Sequence, residues 1–155
     1  MAGDEDRSFL LSYLEGRFGI PKDGFRHYLL FKKNRSYWML KESSHVTRAS
    51  GLKVKIMGMK VFQEVGKFIK PTTRFIQMFG HTATRAILEI NKQDLRDLVA
   101  GNFLPVDMGI DNGYVILSIE NRILGLGLLI DGCIRTQIPR KEIMYSMRDE
   151  LEKLT

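Results

Sequence analysis

The side chains in this chain that could do chemistry are mostly cations, and their spacing suggests phosphate as the group they meet. Lys92 and Arg96 lie one helical turn apart, so one helix face could present both to successive phosphates. Solvated surface residues share that spacing. Arg135, Arg140 and Lys141 bracket the last apolar strand pattern. A third group, Lys53, Lys55, Lys60, Lys67, Lys70 and Arg74, falls where the charge is most lopsided. Residues 41 to 75 hold eight Lys or Arg against two Asp or Glu, while residues 76 to 155 hold nine against eleven. The middle segment therefore carries the whole surplus of a chain with net charge +6. A localised surplus suits a polyanionic partner, because phosphates are neutralised locally. The same lysines also read as the solvated face of an antiparallel sheet.

Other chemistry is thinly supplied. There is no nucleophile with a neighbouring base and no pair of carboxylates at a usable spacing, so the chain is expected not to be an enzyme. The lone Cys133 has no internal disulfide partner, and His27, His45 and His81 lack metal-ligand spacing. Gly125-Leu126-Gly127 lies inside an apolar run rather than between a strand and a helix, so it reads as a place where side chains do not fit, and no cofactor is expected. Apolar residues at 44% and charged residues at 27% describe a globular chain. No window nears the ~18 apolar residues of a membrane span, and the opening Asp4-Glu5-Asp6 is acidic where a secretory leader is basic. The expectation is a cytoplasmic protein with no membrane partner.

The elements that must position these residues follow from periodicity. Phe9, Leu10, Tyr13, Leu14 and Phe18 form a helical stripe, with Asp6 or Ser8 as cap and Gly19 as stop. Residues 27 to 31 and 36 to 40 read as a hairpin around Lys33-Asn34. Tyr28, Phe31, Tyr37 and Trp38 within it could stack on bases, although core packing accounts for them more simply. A polar turn is expected at 43 to 50, a half-buried strand at 52 to 57 and a second strand at 59 to 65. A helix starts at Lys70 with Pro71 in its first turn and ends at Gly80. Strands at 84 to 90, 102 to 105, 113 to 120, 123 to 130 and 135 to 138, with a helix at 94 to 100, read as a small barrel. Residues 141 to 154 look helical.

Within residues 93 to 139, the helix bearing Asp94, Leu95, Leu98 and Val99 runs into Gly101-Asn102. Asn112-Gly113-Tyr114-Val115 and Leu124-Gly125-Leu126-Gly127 follow. In that order these pieces resemble a PUA domain, the small RNA-binding β-barrel of pseudouridine synthases and archaeosine transglycosylases. The chain is similar over nearly its whole length to two families with a pre-PUA domain ahead of PUA. Tyr13-Leu14-Glu15, Arg17-Phe18-Gly19-Ile20-Pro21, Lys70-Pro71-Thr72-Thr73 and Phe79-Gly80 resemble the C-terminal half of archaeal Nop2/Sun-type RNA 5-methylcytosine methyltransferases. Gly101-Asn102, Gly113-Tyr114-Val115 and Leu124-Gly125-Leu126-Gly127 resemble the small ribosome-biogenesis family called nuclear import protein seven.

These resemblances imply an α+β fold: an N-terminal α/β pre-PUA domain over residues 1 to 80, then a PUA-type mixed β-barrel with flanking helices over 81 to 155. They imply RNA, ribosomal RNA precursor or tRNA rather than DNA, lying against Lys92, Arg96, Gly101, Asn102, Arg135, Arg140 and Lys141. Gly101 either admits a close nucleotide or simply ends a helix. The basic residues of the first half, Lys53, Lys55, Lys60, Lys67, Lys70 and Arg74, form a secondary patch on a long RNA. The methyltransferases use a cysteine in a Pro-Cys or Thr-Cys motif within a separate cofactor-binding domain. Cys133 follows Asp131-Gly132 instead, so the resemblance covers only the RNA-binding end. The expected function is non-catalytic docking of structured RNA in ribosome biogenesis or RNA modification. The alternatives are a protein–protein adaptor in ribosome assembly, or an RNA-binding subunit acting in trans with a separate RNA methyltransferase.

Overall fold

The computed structural model describes residues 3–42, 58–66 and 68–139. The expected turn at 43 to 50, strand at 52 to 57 and helix at 141 to 154 lie outside the described residues, as do Lys53, Lys55, Lys67, Arg140 and Lys141. The fold is mixed α+β, with two sheets and three α-helices among the described residues.

Helix α1 spans Asp4–Phe18. It begins before the expected caps Asp6 and Ser8: Gly3 occupies the N-cap, and Asp4, Glu5 and Asp6 sit in the first turn, where acids favour the positive end of the helix dipole. Leu10, Leu14 and Phe18 are buried, whereas Phe9, expected on the same stripe, is 59% exposed. Gly19 ends the helix with φ 65°. Its N–H donates to Glu15 O, and the N–H of Ile20 donates to Leu14 O. That left-handed closure needs glycine, and a Cβ would also collide with Thr84 Oγ1.

After a short 3-10 turn, Lys22–Phe25, come β1 (Tyr28–Lys33), β2 (Ser36–Lys41), β3 (Met59–Val65) and β4 (Phe68–Pro71), an antiparallel sheet in that order. The expected β1–β2 hairpin forms, with Asn34 at positive φ in its turn. Tyr37 is buried, while Tyr28, Phe31 and Trp38 are half-buried. Helix α2 is Thr73–Phe79 rather than a helix from Lys70. Pro71 closes β4 opposite Phe62, on an edge where a missing N–H is tolerated. Thr72 is the N-cap: its Oγ1 accepts from Phe75 N at 3.2 Å and donates to Lys60 O at 2.8 Å.

The second sheet contains β5 (Ile87–Glu89), α3's neighbours β6 (Leu104–Pro105) and β9 (Cys133–Thr136), and the long pair β7 (Gly113–Ile119) and β8 (Arg122–Ile130), where α3 is Lys92–Val99. Its order is β5-β7-β8-β9-β6, parallel only between β5 and β7, and it curls into a half-barrel. Five consecutive residues of β7, Val115 to Ile119, are buried, as expected of a strand covered on both faces. Leu95 and Leu98 of α3 pack with Val115, Leu117, Leu129 and Ile134 on one side, while Ile116 and Leu126 join the core around Phe75 and Ile76 of α2 on the other. Gly125 and Gly127 let β8 sit between these layers. An added Cβ would lie 2.8 Å from Ile138 Cγ1 at the first and 2.7 Å from Ile134 Cγ2 at the second.

Several bonds tie the first sheet's half of the chain to the second. Arg17 donates from Nε to Tyr114 O and from Nη1 to Asp111 O, each at 2.8 Å. Gln77 donates to Leu124 O at 2.9 Å, and Arg85 to Glu15 O at 3.0 Å.

Candidate nucleic-acid interface

Strand register decides which side chains share a face, because partners opposite each other in an antiparallel pair point the same way. Tyr114 pairs with Leu128 and Leu128 with Arg135, while Leu104 pairs with Ile134 one step back. Phe103 therefore falls in the row of Arg135. The Arg135 guanidinium lies over the Phe103 ring, 5.1 Å from its centroid. Both residues are exposed, Phe103 at 57%. The neighbouring inward row, Leu104 with Ile134, faces the core beneath α3, so Phe103 and Arg135 project from the opposite side.

Two residues along the chain from Arg135, Gln137 is held by its N–H on Leu126 O and accepts from Lys70 Nζ at 3.2 Å. Lys70 is partly buried there, and burial pulls its ammonium below the usual lysine pKa. Gln137 lies one residue past the end of β9. The fold thus brings one member of the first-half basic patch, Lys70, next to the strand that carries Arg135. Arg74 is exposed in the first turn of α2, and Lys60 donates to Gln63 at 3.3 Å on β3.

Lys92 and Arg96 stand on α3, whose apolar residues Leu95 and Leu98 cover the other face of the sheet. Asn91 caps this helix reciprocally, accepting from Asp94 N at 2.8 Å while its own N–H donates to Asp94 Oδ2 at 3.1 Å. The helix stops in a Schellman turn: Gly101 has φ 90°, its N–H donates to Leu98 O, and the N–H of Asn102 donates to Asp97 O. Positive φ accounts for the glycine, and the space a Cβ would enter is open. Both Gly101 and Asn102 are exposed. The α3 cations and Arg135 are consequently on opposite sides of the sheet, joined around its β6 edge by residues 101 to 103.

No protein-family model matches the chain. It is distantly similar to ribosomal RNA methyltransferases. Ribosomal RNA small subunit methyltransferase F of Aeromonas hydrophila is 20% identical over 132 residues, 85% of this chain and 27% of that protein. The protein of the same name from Psychromonas ingrahamii is 23% identical over 120 residues, 74% of this chain and 25% of its own length. The chain thus spans about a quarter of the length of these relatives. The relation agrees with the resemblance to Nop2/Sun-type enzymes.

Phe103 is the residue that sequence reasoning missed. Its only signal was an aromatic directly after Gly101-Asn102, and its exposure depends on the β6–β9 register, which no local pattern encodes. Among the described residues no three of His, Cys, Asp and Glu cluster as metal ligands, and no helix is long and apolar enough to cross a membrane. The thiol of Cys133 is half-buried in β9.

Proposed function

We propose that this chain is a non-catalytic RNA-binding unit that docks structured RNA, ribosomal RNA precursor or tRNA, in ribosome biogenesis or RNA modification. The observation that carries the reading is the pattern of coverage. Similarity runs through most of this chain but only about a quarter of proteins named as ribosomal RNA methyltransferases. A match confined to that share of the relatives fits a substrate-handling segment of them. The exposed cations on both sides of the second sheet, in a chain of net charge +6, supply the electrostatics that RNA demands. In this reading the second sheet and α3 form a PUA-type module, residues 1 to 80 form its pre-PUA companion, and methyl transfer belongs to another polypeptide segment.

The test is affinity for ribosomal RNA fragments and tRNA across a salt series. An interface with about four phosphate contacts on single-stranded RNA gives a log–log slope near roughly −3. A flat salt response, or no binding, defeats the proposal.

One observation favours the adaptor as a second reading. Val65 and Phe68 pair across the β3–β4 hairpin and are 45% and 71% exposed. An apolar tip of this kind suits a protein contact, with a ribosome-assembly protein or a separate RNA methyltransferase. Loss of partner capture in Phe68→Ser with RNA affinity intact would favour this role.

A further inference from the structure

We propose that Phe103 and Arg135 form a stacking platform for one unpaired RNA base, with the Lys70 ammonium placed to receive an adjoining phosphate. This rests on the RNA-binding reading and deepens it by naming where, and in what form, the RNA is held. Phe103 is 57% exposed, and among the described residues its ring, unlike those of the comparably exposed Phe9 and Phe68, lies beneath a cation, Arg135. Arg135 covers part of that ring and makes no hydrogen bond or ion pair among the described residues. Among the described residues its N–H donors have no partner and are open to a ligand, and a guanidinium lying over an aromatic ring offers its other face to a base.

Lys70 of β4 reaches the residue that follows β9. One of its three donors goes to Gln137 Oε1, which fixes the ammonium beside the strand and leaves two for a phosphate. Charge is polarised along β9. The acidic Asp131 is at the far end, in the turn before Cys133, and is bonded to Asn112. Cations and the exposed aromatic gather at the Arg135 end. Charge complementarity therefore selects a polyanion, and the aromatic selects one with free bases. Duplex RNA does not present a base to stack on, so single-stranded RNA is the occupant.

The experiment uses the full chain and a 12-nucleotide mixed-sequence RNA with one central 2-aminopurine, single-stranded or annealed to its complement. For the single strand, Phe103→Ala is expected to weaken binding by about 5- to 100-fold, the range of one lost base–aromatic stack, and to abolish the 2-aminopurine quench. Its salt slope should stay unchanged. Lys70→Met should make the slope shallower by about 0.7, one phosphate, and keep the quench. Arg135→Lys retains the charge but not the plane, so it should lower affinity and quench with the slope preserved. Thermal melting checks that each variant folds; the exposed Phe103 is replaceable without a core cavity. If the parent binds the RNA and Phe103→Ala binds within twofold of it, the platform is wrong and the RNA reading stands. An equal loss on the duplex also overturns the platform. Failure of the parent to bind either form overturns both.

Discussion

Replacing Arg17 with methionine removes the bonds that tie α1 to the start of β7 while keeping most of the aliphatic stem. Arg17 Nε donates to Tyr114 O in a partly buried setting and Nη1 to Asp111 O at the surface, each at 2.8 Å. Hydrogen bonds from a charged donor contribute about 1.5–3 kcal/mol, and the surface bond contributes less because water replaces it readily. Against this, Arg17 Nη2 is buried with no hydrogen-bond partner among the described residues. Desolvation of that donor offsets roughly 1 kcal/mol of the gain. The net loss in Arg17→Met is therefore about 2 kcal/mol, a fall in Tm of roughly 4–8 °C for a chain of this length. Urea unfolding followed by circular dichroism reads it directly: the midpoint should drop with the slope m unchanged. Lysine should rescue only partly, since one ammonium cannot reproduce the two divergent bonds of the guanidinium. A loss under about 0.5 kcal/mol in the methionine variant would refute this account of how the two halves are joined.

Gly127→Ala should cost about 1–3 kcal/mol, because the new methyl meets Ile134 Cγ2 at 2.7 Å and Ile134 is fully buried; urea midpoints check this. Burial pushes the Tyr13 phenol up to about 12. Its folded pKa thus exceeds the unfolded value near 10, so the stability it contributes is complete below pH 10 and lost as pH rises towards 12. The loss is of order 2 kcal/mol, and Tyr13→Phe should flatten that alkaline limb of the stability–pH curve. Lys70→Met should be neutral or slightly stabilising, since a partly buried ammonium with a lowered pKa gives way to an apolar chain; a Tm loss above about 4 °C would show that the Gln137 contact matters more.

Local signals were enough for much of the fold. The stripe of Leu10, Leu14 and Phe18 with Gly19 marked α1, and alternating turn signals marked β7, β8 and the β1–β2 hairpin. The errors fall where one residue type serves two geometries. Proline suits both the first turn of a helix and an edge strand, so Lys70-Pro71 read as helix although Thr72 was the cap. Phe9 read as core because a stripe has no way to say where its own edge lies. Of the candidate site, the cations were visible by type but not by side. The separation of Lys92 and Arg96 from Arg135 follows from register across three strands, and the approach of Lys70 to Gln137 spans 67 residues of chain.

That long-range contact bears on the tension between charge and resemblance. Charge alone pointed to the first half of the chain, whereas the PUA resemblance pointed to the second. Ile116 and Leu126 of the second sheet pack into the core built around α1 and α2, and Arg17, Gln77 and Arg85 bond across the same junction. The halves are therefore packed against each other rather than loosely strung, and a cation contributed by β4 can act on a ligand read by β9. A polyanion docked at Arg135 would have Lys70 near the C-terminal end of the same strand. Two separately placed basic patches would have required a long RNA to bridge them. Cations placed near one end of β9 call only for a short single strand, and for that reason a 12-nucleotide probe is a sharper test of this surface than a large folded RNA.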